Sequence, residues 1–262
     1  MTIVLNERKY AEQILEDMDL SAGMRSKLSV VAKYYFANGL SKDKVTNNIT
    51  EFVRSCGIPP ERWDVLTMIQ RVVSGAKKKK LIEIDGIPIT IEEVSAIESL
   101  KGRTTQRTAF TLLCLAKYLD IVNEKNDHWV WTPETQVMKM ANVDATVMRR
   151  CEILNAIRDA GMTEYSKRVD NNSIHVLFIG GTEIAMSITD FRNLGYQWNM
   201  YHGEPYYVCV SCGLTGKLKK PKDTGDRRGG KKLYCDSCMV KRQIQQKVNY
   251  AMRRRGAIGP NK

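Results

Sequence analysis

The sequence predicts a mainly α-helical chain of the α+β class, made of small folded parts joined by short segments. Three observations predict this class. Helical periodicity with capped ends fills the first quarter, three helices and a strand pair occupy the middle, and two C-x2-C pairs lie in the last fifth. With 262 residues and 43% hydrophobic content, the chain can build one large or two to three small domains.

The first part is a predicted helical bundle over residues 1–76. Apolar residues recur at helical spacing in four segments, and the joints between the segments carry capping residues or glycine. Four short helices with capped joints predict a small bundle, and no catalytic chemistry is visible in it. The expected helices are Asn6–Leu20, Ala22–Asn38, Lys42–Cys56 and Glu61–Ser74, the last one ended by Gly75.

Residues 77–103 are a predicted linker. The run Lys77–Lys80 is typical of a solvated junction, although it is also able to touch phosphate. A small β-ribbon is expected over residues 81–89, with a tight turn at its centre. Thr90 and Glu93 then form a predicted capping box for the short helix that follows.

Residues 104–180 are predicted to form a winged helix-turn-helix. A strongly apolar helix, two further helices separated by a short turn, and a hairpin follow one another in the order of that fold. The segment Trp129–Trp131 is expected to add a third strand to the hairpin. The expected helices are Thr108–Val122, a short one from Thr132-Pro133 through Ala141, and Ala145–Ala160 with Asp144 as its cap, and the hairpin strands are Glu164–Val169 and Ser173–Ile179.

Two interpretations of the third helix of this domain stay open. Arg149 and Arg150 near its start are candidates for base contact, and a bidentate arginine can distinguish guanine from other bases. However, residues 104–180 carry nine Lys and Arg against nine Asp and Glu, so the domain is neutral. A neutral winged helix also suits protein contact or a scaffold role.

A loop-rich connector is expected over residues 181–204, followed by a zinc ribbon with a basic helix over residues 205–262. Cys209, Cys212, Cys235 and Cys238 have the pattern C-x2-C-x22-C-x2-C, in which each pair offers two thiolates to one Zn²⁺. Four thiolates close the tetrahedral shell, so the expected ion is structural. The hairpin strands expected between the pairs are Lys217–Lys220 and Lys231–Tyr234.

Redox-active dithiols or disulfides are the alternative use of these pairs. Disulfides need an oxidising compartment, and residues 1–10 lack the apolar core of a secretory signal. The chain has no apolar run of membrane-spanning length either. We therefore expect a cytoplasmic protein without a membrane partner.

The net positive charge of the chain comes entirely from its C-terminal part. Residues 1–208 hold 26 Lys and Arg against 26 Asp and Glu, whereas residues 209–262 hold 15 against 3. A zinc ribbon with this charge is followed by a predicted basic helix over Met239–Arg255. This combination predicts binding to nucleic acid, either DNA or RNA. The candidate contact residues are Lys217, Lys219, Lys220, Arg227, Arg228, Lys231, Lys232, Lys241, Arg242, Arg253, Arg254 and Arg255, together with Arg149 and Arg150.

The helix-rich core, the apolar helix Thr108–Tyr118, the wing-like hairpin and the basic C-terminal ribbon resemble regulatory or replication-associated proteins of bacteriophages and integrative elements. The resemblance is one of architecture and covers about residues 80–240. It implies a regulator that acts in the bacterial cytoplasm.

The sequence leaves three classes of function to consider. The first is a nucleic-acid-binding regulator or replication accessory protein of a phage or mobile element. The second is an interaction protein that inhibits or redirects a host nucleoprotein machine, such as a polymerase or a defence complex. The third, an enzyme, is disfavoured because the chain has three histidines and no acidic cluster at metal spacing.

Overall fold

Helices dominate the computed structural model of the chain, which describes residues 3–167, 173–218 and 232–254. Three small sheets accompany the helices within these described residues. The fold is therefore mixed helix and sheet. The backbone divides into two units, residues 1–87 and 88–262.

The first unit contains the predicted helical bundle. Asn6 and Ser41 cap the first and third helices through their side-chain oxygens, because each oxygen accepts a hydrogen bond from the backbone N–H of the third helical residue. Buried aliphatic residues such as Leu28, Ile49 and Ile69 form the core. The helices are α1 (Glu7–Asp17), α2 (Met24–Ala37), α3 (Lys42–Ser55) and α4 (Trp63–Ala76), so α4 continues through Gly75, where it was predicted to end.

The β-ribbon predicted over residues 81–89 is wrong. Ile84 N–H donates to the carbonyl of Leu5 (2.9 Å), and Glu7 N–H donates to the carbonyl of Ile82 (2.8 Å), so this stretch pairs with the N-terminal segment. The buried Glu7 carboxylate accepts from Ile82 N–H (2.9 Å) and from the ammonium group of Lys33. Each half of the predicted ribbon forms its backbone hydrogen bonds with a distant segment of the chain and not with the other half.

The second unit begins within a short strand and is built around one long helix. The predicted capping box is confirmed, because Thr90 Oγ1 accepts from Glu93 N–H and the Glu93 carboxylate accepts from Thr90 N–H. The elements are β1 (Ile87–Thr90), α5 (Ile91–Glu98), α6 (Arg103–Val122), β2 (Trp129–Val130), α7 (Glu134–Met140), α8 (Val147–Asp159), β3 (Thr163–Tyr165), β4 (Ile174–Val176), β5 (Ile184–Ile188), α9 (Leu194–Tyr201), β6 (Tyr206–Val208), β7 (Thr215–Lys217) and α10 (Asp236–Arg254).

Helix α6 is the centre of this unit, and its middle turns are buried on all sides, including Phe110, Leu113 and Cys114. Such burial explains why residues 109–116 are almost continuously apolar. The three-stranded sheet β2–β4–β3 is antiparallel, with Trp129 opposite His175 and Thr163 opposite Val176. The third strand expected from the tryptophan-rich segment is therefore confirmed.

Two helix starts in this region differ from prediction. Helix α6 begins at Arg103, five residues earlier than expected, directly after Gly102. Helix α8 is capped by Thr146 rather than Asp144, since the Thr146 hydroxyl accepts from Arg149 N–H (3.4 Å). Both threonine and aspartate suit the cap position, and sequence pattern alone does not choose between them.

The connector predicted over residues 181–204 contains regular structure. Strand β5 pairs with β1, and α9 packs on α6, where the fully buried Trp198 ring lies 5.1 Å from the Phe110 ring. A side chain at Gly195 would place Cβ 1.9 Å from the carbonyl oxygen of Ala141. This approach explains the glycine, and α9 is part of the core of the unit rather than a linker.

Candidate metal centre and nucleic-acid interface

The first cysteine pair lies in the turn of a β-hairpin. Strands β6 and β7 are antiparallel, with Val208 opposite Thr215, and the pair occupies the residues between them. Cys209 N–H donates to Leu214 O (2.9 Å), and Gly213 N–H donates to Cys209 O (2.8 Å), so the turn closes on itself. Gly213 has φ of +72°, a conformation that glycine adopts without steric cost.

The second pair lies at the start of α10. Cys235 comes directly before the helix and Cys238 lies in its first turn, where Met239 N–H donates to Cys235 O (2.9 Å). The helix begins at Asp236, three residues before its predicted start, and a carboxylate in a first turn is favoured by the helix dipole.

The hairpin expected between the two pairs is therefore wrong in its pairing. Lys217 ends β7, whose partner is β6, and residues 232–234 form no strand. Val210 N–H does donate to Leu233 O (2.9 Å), and this backbone bond links the segments that carry the two pairs.

These elements bring the four predicted cysteines into one cluster. Their Sγ atoms all lie within 4.8 Å of one another, and those of Cys212 and Cys235 are 3.7 Å apart. Cys209 and Cys235 are buried, whereas Cys212 and Cys238 are half-buried. Four sulfur atoms at these separations can hold one metal ion.

The surroundings of the cluster shift the pKa values of Cys209, Cys212 and Cys238. Burial alone raises the pKa of Cys209, but hydrogen bonds from the backbone N–H groups of Cys235, Cys212 and Ser211 bring that pKa down to about 6. Burial raises the pKa of Cys212 to about 12 and also raises the pKa of Cys238. A positive ion among the four sulfur atoms would lower the raised pKa values, because it stabilises the thiolate form.

A polar network joins this hairpin to the segment between α7 and α8. Arg192 Nη2 donates to Cys212 O while Arg192 Nε and Nη2 bind the Asp190 carboxylate (2.9 and 2.6 Å). Asn193 donates to Thr215 O (2.9 Å) and accepts from Asn142 Nδ2 (3.0 Å). Sequence analysis missed these residues, because polar side chains in a short loop carry no periodicity.

Two of the predicted basic residues near the cluster lie over tyrosine rings. Lys232 pairs with Asp236 (2.8 Å) and lies over the Tyr207 ring, and Arg242 lies 4.9 Å from the centroid of the Tyr234 ring. Lys217, Lys241 and Arg253 are exposed, and Arg254 is the last residue of α10. The predicted contact residues Lys219, Lys220, Arg227, Arg228, Lys231 and Arg255 lie outside the described residues.

Helix α10 exposes nearly all of its surface. Every side chain described from Asp236 to Arg253 is exposed except Cys238, which is half-buried. Val240, Ile244 and Val248 form an apolar stripe, and they are 53, 57 and 40% exposed. From residue 237 to residue 262 the chain has seven Lys and Arg and no Asp or Glu, so beyond Asp236 the helix that carries the stripe has only cationic charges.

The predicted base-contacting arginines of α8 have different surroundings. Arg149 forms an exposed ion pair with Glu152 (2.6 Å), which offsets its charge. Arg150 is half-buried, and its Nε atom has no hydrogen-bond partner among the described residues. Val147 and Met148 at the start of the helix are 67 and 75% exposed.

No protein-family model, curated protein or solved structure matches this chain. Among the described residues, no helix combines the length and the apolar character that crossing a membrane requires.

Proposed function

We propose that the chain is a nucleic-acid-binding protein whose metal-held, basic C-terminal end contacts phosphate. One observation carries the proposal. The four-cysteine cluster anchors an exposed cationic helix at the end of the chain where 15 Lys and Arg stand against 3 Asp and Glu. Lysine and arginine gain affinity for a polyanion by releasing its condensed counterions.

The metal in this proposal is one structural Zn²⁺. A tetrahedral Zn²⁺ with Zn–S bonds of about 2.3 Å separates its sulfur ligands by about 3.8 Å, close to the 3.7 Å between Cys212 and Cys235 Sγ. Four thiolates leave no coordination position for water, so the ion would hold the fold rather than catalyse a reaction. Thiolate ligation requires reduced cysteines, which suits the cytoplasm of a bacterial host.

We further interpret part of the second unit as a winged helix-turn-helix. The order α6, β2, α7, α8, β3, β4 and the sheet order β2–β4–β3 support this interpretation. Helix α8 would then occupy the recognition position. Because Arg149 is paired with Glu152, its contribution to base readout would require that ion pair to open.

A regulator or replication accessory protein of a phage or mobile element fits this combination, in accord with the resemblance described above. The proposed role is binding without catalysis. The basic end would supply affinity, and the winged helix would add either sequence preference or a contact to a partner protein.

The test removes charge from the exposed helix end. We expect the change of Arg253, Arg254 and Arg255 together to Ala to flatten the dependence of log affinity on log salt by about 2–3 units, because each phosphate contact on duplex DNA contributes about 0.9. The matched control changes Lys42, Lys44 and Arg71 to Ala, which removes the same charge from exposed positions of the first unit. Equal slopes for the two variants, measured by fluorescence anisotropy, would contradict the proposal.

A second candidate function is interaction with a host nucleoprotein machine. The apolar stripe Val240, Ile244 and Val248 favours it, because phosphate contacts do not require exposed β-branched residues. Pull-down from a bacterial lysate before and after nuclease treatment separates the two candidates. Co-purification of a protein that survives nuclease and is lost in Ile244→Gln would favour the second.

A further inference from the structure

A shallow cleft in the second unit lies between α7, the start of α8 and α9. Met138 and Val143, which are 3 and 7% exposed, form its apolar floor. Polar side chains from all three helices line its walls, namely Thr135 and Lys139 on α7, Arg150 on α8 and Tyr196 on α9. Hydrogen-bond donors therefore face this cleft from three sides.

The wall of the cleft that α9 forms is held in place by two contacts. Tyr196 N–H donates to Asn142 Oδ1 (3.2 Å), which connects α9 to the turn after α7. The Tyr196 ring lies 5.0 Å from the Tyr206 ring, measured between their centroids. The Tyr196 hydroxyl has no hydrogen-bond partner in the described part of the chain, so it is available to a ligand.

Arg150 brings a half-buried positive charge to the cleft. Its guanidinium group forms neither an ion pair nor a hydrogen bond with any described residue. Its Nε atom is enclosed by the protein, whereas the two Nη atoms are not, so the Nη atoms are the ones that a ligand can reach. Glu152 on the same helix is paired with Arg149 (2.6 Å). Arginines that lose contact with water are normally paired, so this one suits an anion supplied from outside the chain.

The remaining charged residues of the lining are Lys139 and Asp144, and both are exposed. Neither residue forms an ion pair within the described ranges, so Asp144 does not neutralise Lys139 or Arg150 by direct contact. The lining thus has two positive charges and one negative charge. It is net positive, although residues 104–180 as a whole are neutral.

We infer that this cleft binds a phosphate group. The oxygens of a phosphate point in several directions, whereas those of a carboxylate lie in one plane, and donors from α7, α8 and α9 match the first arrangement. The guanidinium group of Arg150 suits two phosphate oxygens at once, and Lys139 acts as a point charge.

The phosphate belongs either to the backbone of a nucleic-acid strand or to a free compound such as a mononucleotide. For a strand, the inference deepens the proposed function and rests on it. Arg150 then contacts the backbone and does not read a base, and the second unit has a phosphate contact of its own besides the basic C-terminal end.

The experiment measures binding of the full chain to DNA of several sequences over a range of salt. We expect Arg150→Gln to flatten the salt slope by about 1 unit and to weaken binding by the same factor on every sequence, because one phosphate contact is lost. Arg150→Lys, which keeps the charge, should restore most of the slope. Lys139→Gln at its exposed position should give a smaller loss of the same kind, and Asp144→Asn should strengthen binding. The matched control is Arg158→Gln, because Arg158 is exposed on the same helix and pairs with Asp159 (2.9 Å).

A second measurement separates the two sources of the phosphate. Isothermal titration calorimetry of the full chain uses AMP and inorganic phosphate, with glutamate at the same ionic strength as the carboxylate control. Binding of AMP or phosphate that is lost in Arg150→Gln supports a free compound, whereas a changed salt slope without such binding supports a strand.

The outcomes separate the inference from the proposed function. A loss confined to one DNA sequence assigns Arg150 to base contact and overturns the inference alone. The same holds if Arg150→Gln and Lys139→Gln behave like Arg158→Gln in both measurements, or if glutamate binds as well as phosphate. If no nucleic acid binds, the proposed function fails, and the calorimetry decides the cleft by itself, since AMP and phosphate that do not bind overturn the inference.

Discussion

Replacing Gly195 by Ala tests the packing of α9 against the end of α7. In a helix this change normally stabilises by about 0.5–1 kcal/mol, because alanine loses less backbone entropy than glycine. Here the new Cβ would lie 1.9 Å from Ala141 O, well inside the 3.0 Å that real contacts respect, so the backbone must move by about 1 Å. Crowding of this kind costs about 1–3 kcal/mol. The net expectation is a loss of about 1–2 kcal/mol.

The assay is differential scanning calorimetry with a glycine of opposite surroundings as control. A loss of about 1–2 kcal/mol lowers the melting temperature of a unit of this size by about 2–8 °C. Gly75 lies within α4, and a Cβ there would meet nothing within 4 Å, so Gly75→Ala should stabilise the first unit. Unchanged or raised stability of the second unit in Gly195→Ala would refute the packing described for α9.

Three further changes test other parts of the structure. Trp198→Ala should lower the free energy of unfolding by about 3–5 kcal/mol, since the ring is fully buried against Phe110, whereas Trp131→Ala should cost about 0.5 kcal/mol or less in chemical denaturation. Burial raises the pKa of Asp120, but hydrogen bonds from His128 and Asn126 outweigh it and hold the pKa below its ordinary 3.8. Its contribution to stability is therefore present above pH 3.8 and is lost as the pH falls through the folded value, a dependence that Asp120→Asn should reduce in melts between pH 7 and pH 3. Cys235→Ser should abolish binding of the metal and unfold residues 205–240 while the first unit stays folded, as hydrogen exchange would show; a metal content equal to that of the exposed-thiol control Cys151→Ser would contradict it.

Local signals in the sequence predicted most of the helices and the cysteine cluster. The side-chain caps at Asn6 and Ser41 and the capping box at Thr90 depend on residues at most three positions apart, which sequence shows directly. The spacing of two C-x2-C pairs likewise restricts how four thiols can meet. These features formed at or close to their predicted positions.

Long-range pairing was not predictable in the same way. The chain around Ile84 reads as half of a hairpin, yet it pairs with the segment around Leu5, nearly eighty residues away in sequence. Helix α9 was missed because Asn193, Gly195 and Asn199 are typical of loops, while the fully buried Trp198 and its contact with α6 stabilise the helix. Tertiary packing overrides local propensity at such positions.

The candidate site also combines local features that the sequence predicts with long-range contacts that it does not. The four cysteines of the cluster followed from their spacing, whereas the hydrogen bonds of Arg192 and Asn193 depend on loops that meet only in three dimensions. The cleft around Arg150 could not be seen in sequence either, because it forms only where α7, α8 and α9 come together. The spacing of residues along the sequence therefore predicts the cysteine cluster better than it predicts contacts between distant loops.

The central claim is that the last 54 residues supply most of the binding to nucleic acid. The most direct test compares the full chain with residues 1–208, after circular dichroism has shown that the shortened chain keeps its helices and melts cooperatively. Fluorescence anisotropy with duplex DNA, single-stranded DNA and RNA, recorded over a range of salt, should show that the shortened chain loses most of the affinity and most of the salt dependence. Binding by residues 1–208 as tight as that of the full chain, with the same salt slope, would contradict the claim.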